Sequence, residues 1–195
     1  MPKRFLIAAC LFLAAIPSAD AETVLRASIS QEGSSFSMDE LTASFTAPLT
    51  DVEVADKTVA GTGTLFLACN DRGVQAMSID LPGLENVWPA SQGTIRDFGT
   101  VTGPLRLINK RYLQLVSKVE TDGHRSISVK MDGNMPALAR ALYANDILWV
   151  QADGNGDVDR IHVSLIPPIT KEFSQNMATF TRACELFQRM SELPY

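Results

Sequence analysis

The chain has 195 residues, a length that suits one domain with its own hydrophobic core. Its 22 acidic residues outnumber its 17 basic residues, and the formal net charge is −5 at pH 7. A protein that follows nucleic-acid phosphates needs the opposite balance, so we expect no nucleic-acid partner.

Residues 1–21 have the three parts of a secretory signal peptide. Lys3 and Arg4 provide the basic start, residues 5–16 form the apolar segment, and residues 19–21 (Ala-Asp-Ala) provide the small residues of a cleavage site. As a helix the apolar segment would extend only about 18 Å, against roughly 30 Å for the hydrocarbon core of a bilayer. We therefore expect cleavage of this segment and a periplasmic or secreted protein, with no integral membrane segment once the signal peptide is removed.

The cysteines predict one structural disulfide. Removal of the signal peptide takes away Cys10 and leaves Cys69 and Cys184 in a compartment that favours thiol oxidation. These two cysteines are far apart in the chain and do not form a Cys-x-x-Cys redox motif, so we interpret them as a staple of the fold. Residues 22–195 are accordingly expected to form a single exported domain.

The first half of the exported region predicts strands and turns. Alternating apolar residues predict an opening strand over residues 22–30. Residues 37–40 have capping-box spacing and predict at most a short helical turn, although the run that follows also suits extended structure. Residues 64–69 and 74–81 predict a hairpin around an Asn-Asp-Arg-Gly turn at residues 70–73. The first cysteine of the expected disulfide therefore lies in a strand.

Residues 82–103 contain two prolines and four glycines and predict a long loop or an irregular crossover. Long ordered loops often carry function, and this one contains Trp88. The indole either folds back onto the core or forms a contact with a partner. Trp88 is therefore the candidate partner-binding residue.

Two more hairpins are predicted after this loop. Residues 113–120 and 126–131 predict strands around a turn that contains His124. Residues 147–152 and 158–166 predict a second pair around an Asp-Gly-Asn-Gly turn. Most of the exported region thus consists of expected β-hairpins.

Two helices are predicted in the second half. Pro136 suits the first turn of a short helix that continues to Tyr143, with Asn134 as a candidate cap. After Pro168 the apolar period changes from two to about 3.6 residues. The apolar face of the resulting helix over residues 171–190 contains Phe173, Met177, Phe180, Cys184 and Phe187. The expected fold is therefore α+β, an antiparallel β-sheet or sandwich of hairpins covered by a C-terminal α-helix and fastened by one disulfide.

The turn of the last hairpin has alternating oxygen-bearing side chains that resemble the start of a calcium-binding loop, because hard cations take several oxygen ligands. Val158 and Ser164 stand where an EF-hand requires glycine and glutamate. The segment is either a calcium site or an ordinary hairpin turn, and no other cofactor is expected. The candidate ligands are Asp153, Asn155, Asp157 and Asp159.

His162 is the candidate catalytic residue of an alternative interpretation, in which the protein is an exported hydrolase. It lies on a predicted strand between Ile161 and Val163, and spacing does not identify its serine or aspartate partner. The sequence contains no Gly-x-Ser-x-Gly elbow before it, and no second histidine lies at metal-ligand spacing. A histidine with no catalytic role in a sheet explains the same residues.

Three segments carry a resemblance to a known family. They are residues 47–51 (Ala-Pro-Leu-Thr-Asp), residues 65–70 (Leu-Phe-Leu-Ala-Cys-Asn) and residues 173–184 with their Phe-x-x-x-Met-x-x-Phe-x-x-x-Cys pattern. Over residues 47–187 the chain resembles the exported VasI-type accessory proteins of type VI secretion. It is more loosely similar to invasion-associated locus B proteins. These resemblances imply a bacterial cell-envelope or host-interaction role and bring no catalytic residues.

The features together favour a non-enzymatic periplasmic or secreted domain that binds a protein or a cell-envelope component. An expected stapled scaffold and a tryptophan-containing loop support this hypothesis, and the sequence assembles no catalytic motif. Two alternatives stay open, the hydrolase that uses His162 and a small-molecule carrier enclosed by the sheet.

Overall fold

The computed structural model describes residues 22–84, 93–100, 114–119, 125–131, 133, 135–153 and 160–192. Within these ranges the chain forms one mixed sheet and two helices. The strands of the first half are β1 (Glu22–Ile29), β2 (Ser35–Met38), β3 (Thr42–Val54), β4 (Lys57–Thr58), β5 (Gly63–Asn70) and β6 (Gln75–Leu81). The later elements are β7 (Gly93–Thr100), β8 (Gln114–Val119), β9 (Arg125–Lys130), α1 (Met135–Tyr143), β10 (Leu148–Asp153), β11 (Arg160–Ile166) and α2 (Lys171–Ser191).

The sheet curls until it closes on itself. Its strand order is β1-β11-β10-β7-β8-β9-β6-β5-β3-β2, and a further antiparallel pairing joins β1 to β3. The long strand β3 makes this closure possible, because its first half pairs with β2 and β5 while its second half pairs with β1 and β4. The concave side of the curled sheet holds the core.

Alternating burial gives β3, β5 and β6 one face toward the core and one face toward the outside. Every second side chain points to the concave side, and the cross-strand register aligns these positions in rows such as Phe45, Leu67 and Met77. The buried hydrophobic positions are Ala43, Phe45, Ala47, Leu49 and Val52 in β3, Leu65, Leu67 and Cys69 in β5, and Met77, Ile79 and Leu81 in β6.

Helix α2 packs its apolar face into this concavity. It begins after Thr170, whose side chain accepts a hydrogen bond from the N–H of Phe173 at 3.2 Å. The ring of Phe173 meets the ring of Phe45 edge to face, with centroids 5.7 Å apart. The disulfide between Cys69 and Cys184 then joins the middle of the sheet to the second half of the helix.

Helix α1 packs beside α2 and is tied to β6 by a buried glutamine. Gln75 is only 2% exposed, and its side-chain oxygen accepts a hydrogen bond from the N–H of Met135 at 2.9 Å. The carbonyl of the same residue accepts the N–H of Met131 at 2.8 Å. One glutamine therefore satisfies backbone donors on both sides of the turn that leads into α1.

Replacing Gln75 with leucine should lower the free energy of unfolding by roughly 1–3 kcal/mol, because the N–H of Met135 would stay buried without an acceptor. Gln175→Leu is the matched control, since this glutamine lies exposed on α2 and should change stability by no more than about 0.5 kcal/mol. Urea unfolding followed by circular dichroism measures both changes. Equal midpoints for the two variants would contradict the role of Gln75.

The structure confirms the α+β class, the hairpin of β5 and β6, both helices and the disulfide. Three details differ from expectation. The pairing of β1 with β11 is parallel. Residues 37–40 contain the end of β2 and a bend instead of a helical turn, because the Asp39 carboxylate accepts the N–H groups of Leu41 and Thr42. Part of the expected long loop forms β7, which pairs with β8 and β10.

No helix in the described ranges is both long enough and apolar enough to cross a membrane. The predicted signal peptide, residues 1–21, lies outside the described residues.

Candidate binding surface

Strand β2 has an open edge. Among the described residues it pairs with β3 alone, and Ser35, Ser37 and Met38 are exposed. The N–H of Asp39 donates to the carbonyl of Thr42 at 2.9 Å, which identifies that pair as hydrogen-bonded. Because hydrogen-bonded residues alternate along an antiparallel strand, Ser35 and Ser37 face β3 with their backbone groups. The N–H and C=O groups of Phe36 and Met38 consequently point to the open edge.

Helix α2 begins near the start of this strand and continues over β5. At its start, the hydroxyl of Thr170 donates to the side-chain oxygen of Gln31 at 2.6 Å, just before β2. In its middle, Cys184 is bonded to Cys69, which belongs to the same cross-strand row as Met38.

The end of α2 lies at the turn between β5 and β6. A Cβ added at Gly73 would lie 2.9 Å from the hydroxyl oxygen of Ser191, so the backbone of this turn approaches the helix closely. Gly73 has a φ of +73°, which glycine adopts without strain. This close approach brings the last turn of α2 next to the loops that follow β2 and β5.

Four apolar side chains are exposed on β2, on the bend that follows it and on the last turns of α2. Met38 and Leu41 are 48% and 58% exposed at the end of β2, and Leu186 and Met190 are 50% and 42% exposed on α2. Leu186 and Met190 are four residues apart and therefore share one flank of the helix. The other flank of α2 faces α1, where Glu185 forms an ion pair with Arg140. We call the open edge of β2 together with these four side chains the edge surface.

The charges that flank β2 itself are acidic. Glu32 precedes β2, and Asp39 and Glu40 follow it, and all three are exposed. Exposed basic residues lie on other elements, among them Arg72 in the turn after β5 and Arg182 and Arg189 on α2. Both ends of the open strand therefore carry negative charge.

A second concave region lies between the two helices and is polar. It encloses about 380 Å³, and its lining includes Arg140, Glu185, Gln188 and Arg189. The ion pair between Arg140 and Glu185 crosses it, and both side chains are partly exposed. An exposed ion pair of this kind contributes less than about 1 kcal/mol to stability. The region is thus charged and open to solvent.

His162, the candidate catalytic residue of the hydrolase alternative, lies on β11 and stacks on Trp149 of β10. The ring centroids are 5.8 Å apart with an angle of 23° between the planes, and Trp149 is 9% exposed. Ser164 shares the same face of β11, and in the register it is the partner of Trp149. His162 therefore stacks on the indole of Trp149, and Ser164 lies two positions along the same strand. The hydrolase alternative stays a prediction.

The remaining predicted site residues fall largely outside the described ranges. Trp88 lies there, as do Asn155, Asp157 and Asp159, while Asp153 ends β10. Within the part of the chain that the structure describes, no group of three or more histidine, cysteine or acidic side chains could hold a metal ion. The calcium hypothesis therefore stays a prediction about residues 153–159.

The carrier alternative requires space inside the sheet. Next to β3 and β5, that space is filled by fully buried side chains of α2, among them Phe173, Met177 and Phe180. A bound small molecule would have to displace this packing at considerable cost.

Comparison of the chain with known protein families, with curated proteins and with solved structures gave no match. The edge surface is therefore argued from its geometry alone. Sequence reasoning missed it because the prominent signal of α2 is its buried stripe. The recurrence of Leu186 and Met190 at a spacing of four, off that stripe, is the pattern that could have indicated it.

Proposed function

We propose that this protein is a non-enzymatic periplasmic or secreted domain that binds a protein or a cell-envelope component, and that the edge surface is the contact. The observation that carries the proposal is the combination of an open strand edge with four apolar side chains, each at least 42% exposed. Exposed edges and apolar clusters favour association, so proteins that do not use them usually protect them.

The disulfide supports this role because a rigid scaffold reduces the entropy lost on binding. It also suits export to an oxidising compartment. A role as an accessory of a secretion system, as the resemblance to VasI-type proteins implies, is one form of the proposal. A contribution from Trp88 is compatible with it as a second contact.

Site-specific photocrosslinking in the cells that make the protein tests the proposal. A photoreactive phenylalanine at Leu41 should give a discrete crosslinked product in the envelope or medium fraction. The matched control is the same residue at Phe66, which is 37% exposed on the convex side of the sheet and should give no such product.

The crosslinked component should then be purified and its binding measured directly. We expect Leu186→Asp to weaken this binding without a change in thermal midpoint, because the side chain is exposed on α2 and does not belong to the core. Equal crosslinking at Leu41 and Phe66, or undiminished binding by Leu186→Asp, would contradict the assignment of the contact.

A further inference from the structure

The backbone of β2 presents the groups that an additional strand requires. The N–H and C=O groups of Phe36 and Met38 point to the open edge, as the alternation from the Asp39–Thr42 pair requires. An extended segment laid against this edge would exchange hydrogen bonds with these two residues. Affinity from these backbone bonds does not depend on the sequence of the segment.

The side chains of β2 and α2 set which residues the added strand should carry. Phe36 and Met38 project to the face of the sheet that α2 covers, since their partners Phe45 and Ala43 are buried there. Side chains of an added strand directly opposite them would project to the same face of the sheet, the face that α2 covers. Two apolar residues separated by one position are therefore favoured.

The charges decide between a second copy of this chain and another segment. Antiparallel pairing of β2 with β2 of a second copy would place the end of β2 that carries Glu32 in one copy at the end that carries Asp39 and Glu40 in the other. These side chains are exposed and acidic, so such pairing is opposed at both ends. A segment with a basic residue beyond each end of its apolar pair meets the same acids favourably.

We propose that the edge surface binds an extended, basic peptide segment by antiparallel strand addition to β2, with two alternate apolar residues on the face of the sheet that α2 covers and a lysine or arginine toward each acidic end. This inference rests on the proposed binding function and specifies the partner's chemistry at the same site. The segment belongs to another protein, since the acids of the edge oppose a second copy of this chain.

A synthetic peptide of sequence Lys-Thr-Val-Thr-Val-Thr-Ser-Ser-Lys is the probe. Placed antiparallel with its first valine opposite Met38 and its second opposite Phe36, it extends its two lysines past the ends of β2, toward Glu40 at one end and Glu32 at the other. Binding is measured by fluorescence anisotropy at low salt, and its location by amide hydrogen exchange of residues 35–38. We expect binding that protects the N–H groups of Phe36 and Met38 and weakens as salt is added.

Backbone methylation separates strand addition from unspecific apolar contact. A methyl group on the nitrogen of the second valine removes a bond to β2 and should weaken binding at least about tenfold, whereas methylation of the central threonine, whose N–H faces away, should change it less than about threefold. Equal effects of the two methyl groups would overturn strand addition.

A charge exchange tests the basic preference. Replacing both lysines of the peptide with glutamate should weaken binding at least about tenfold, and the double variant Glu32→Lys/Glu40→Lys should restore binding of this acidic peptide. Both positions are exposed, so the variant is expected to fold normally. Failure of the exchange to restore binding would overturn the charge assignment.

The outcomes separate this inference from the proposed function. Crosslinking at Leu41 that persists while no basic peptide protects β2 would overturn strand addition and leave the binding function standing. Loss of both the crosslink and peptide binding would overturn both. A concentration-dependent dimer in sedimentation, with protection of residues 35–38, would replace the peptide with a second copy of this chain.

Discussion

Removal of the disulfide should lower the free energy of unfolding by about 2–5 kcal/mol, measured for the double variant Cys69→Ala/Cys184→Ala. The bond joins residues 115 positions apart, so it closes a long loop and greatly restricts the unfolded chain. It also fixes the second half of α2 over β5. For a domain of this size, the loss corresponds to a decrease in thermal midpoint on the order of 10 °C.

Reduction provides the internal control for this prediction. Dithiothreitol should lower the thermal midpoint of the natural protein to that of the double variant and should leave the double variant unchanged. A thiol assay on the unfolded, unreduced mature protein should find no free thiol. Two free thiols, or a midpoint that the double substitution does not change, would contradict a stabilising bridge.

The disulfide also bears on the binding surface. Leu186 and Met190 lie in the two turns of α2 that follow Cys184, so the bond fixes this part of the helix relative to β5. We therefore expect the reduced protein to bind more weakly at the edge surface even at temperatures at which it stays folded. The separation of Leu41 from Leu186 across this surface, followed by spin labels, should become broader on reduction.

Local patterns were sufficient to predict the parts of the fold that depend on neighbours in sequence. The spacing of Phe173, Met177, Phe180 and Phe187 predicts α2, because one helical face must be apolar if the helix packs on a sheet. The turn at residues 70–73 predicts the hairpin of β5 and β6 in the same way. The disulfide was predictable because removal of the expected signal peptide leaves two cysteines.

Closure of the sheet could not be predicted from such patterns. It depends on the parallel pairing of β1 with β11 and on the pairing of β1 with the second half of β3, which join segments distant in sequence. β7 was also missed, because a glycine-rich segment becomes a strand here through its pairing with β10. Tertiary contacts decide the structure of such segments.

The candidate binding surface was unpredictable for the same reason. Whether the edge of β2 is open depends on which strand lies beside it, and the four exposed side chains come from two elements far apart in the chain. A single apolar residue such as Leu186 has no functional meaning in the sequence, because many exposed apolar residues are ordinary surface. Its exposure on the flank of α2 that faces away from α1 is what makes it a candidate.

Replacing Phe45 with alanine should lower the free energy of unfolding by about 3–5 kcal/mol, close to the largest effect expected for one substitution in this fold. Phe45 is fully buried in β3 and contacts two rings of α2, Phe173 at 5.7 Å and Phe180 at 6.5 Å between centroids. Its removal leaves a cavity at the contact between sheet and helix. The surrounding rings cannot fill it completely, because the disulfide limits how far α2 can move.

Phe66→Ala is the matched control, since it deletes the same side chain from the neighbouring strand. Phe66 is 37% exposed on the convex side and pairs with Thr46, the residue that follows Phe45. We expect a loss of no more than about 1 kcal/mol, because much of the ring already contacts water. Chemical unfolding of both variants measures the difference. A shift of the β3–β5 register by one residue would exchange the two faces, so a larger loss for Phe66→Ala would show that the concave side of the sheet is wrongly assigned.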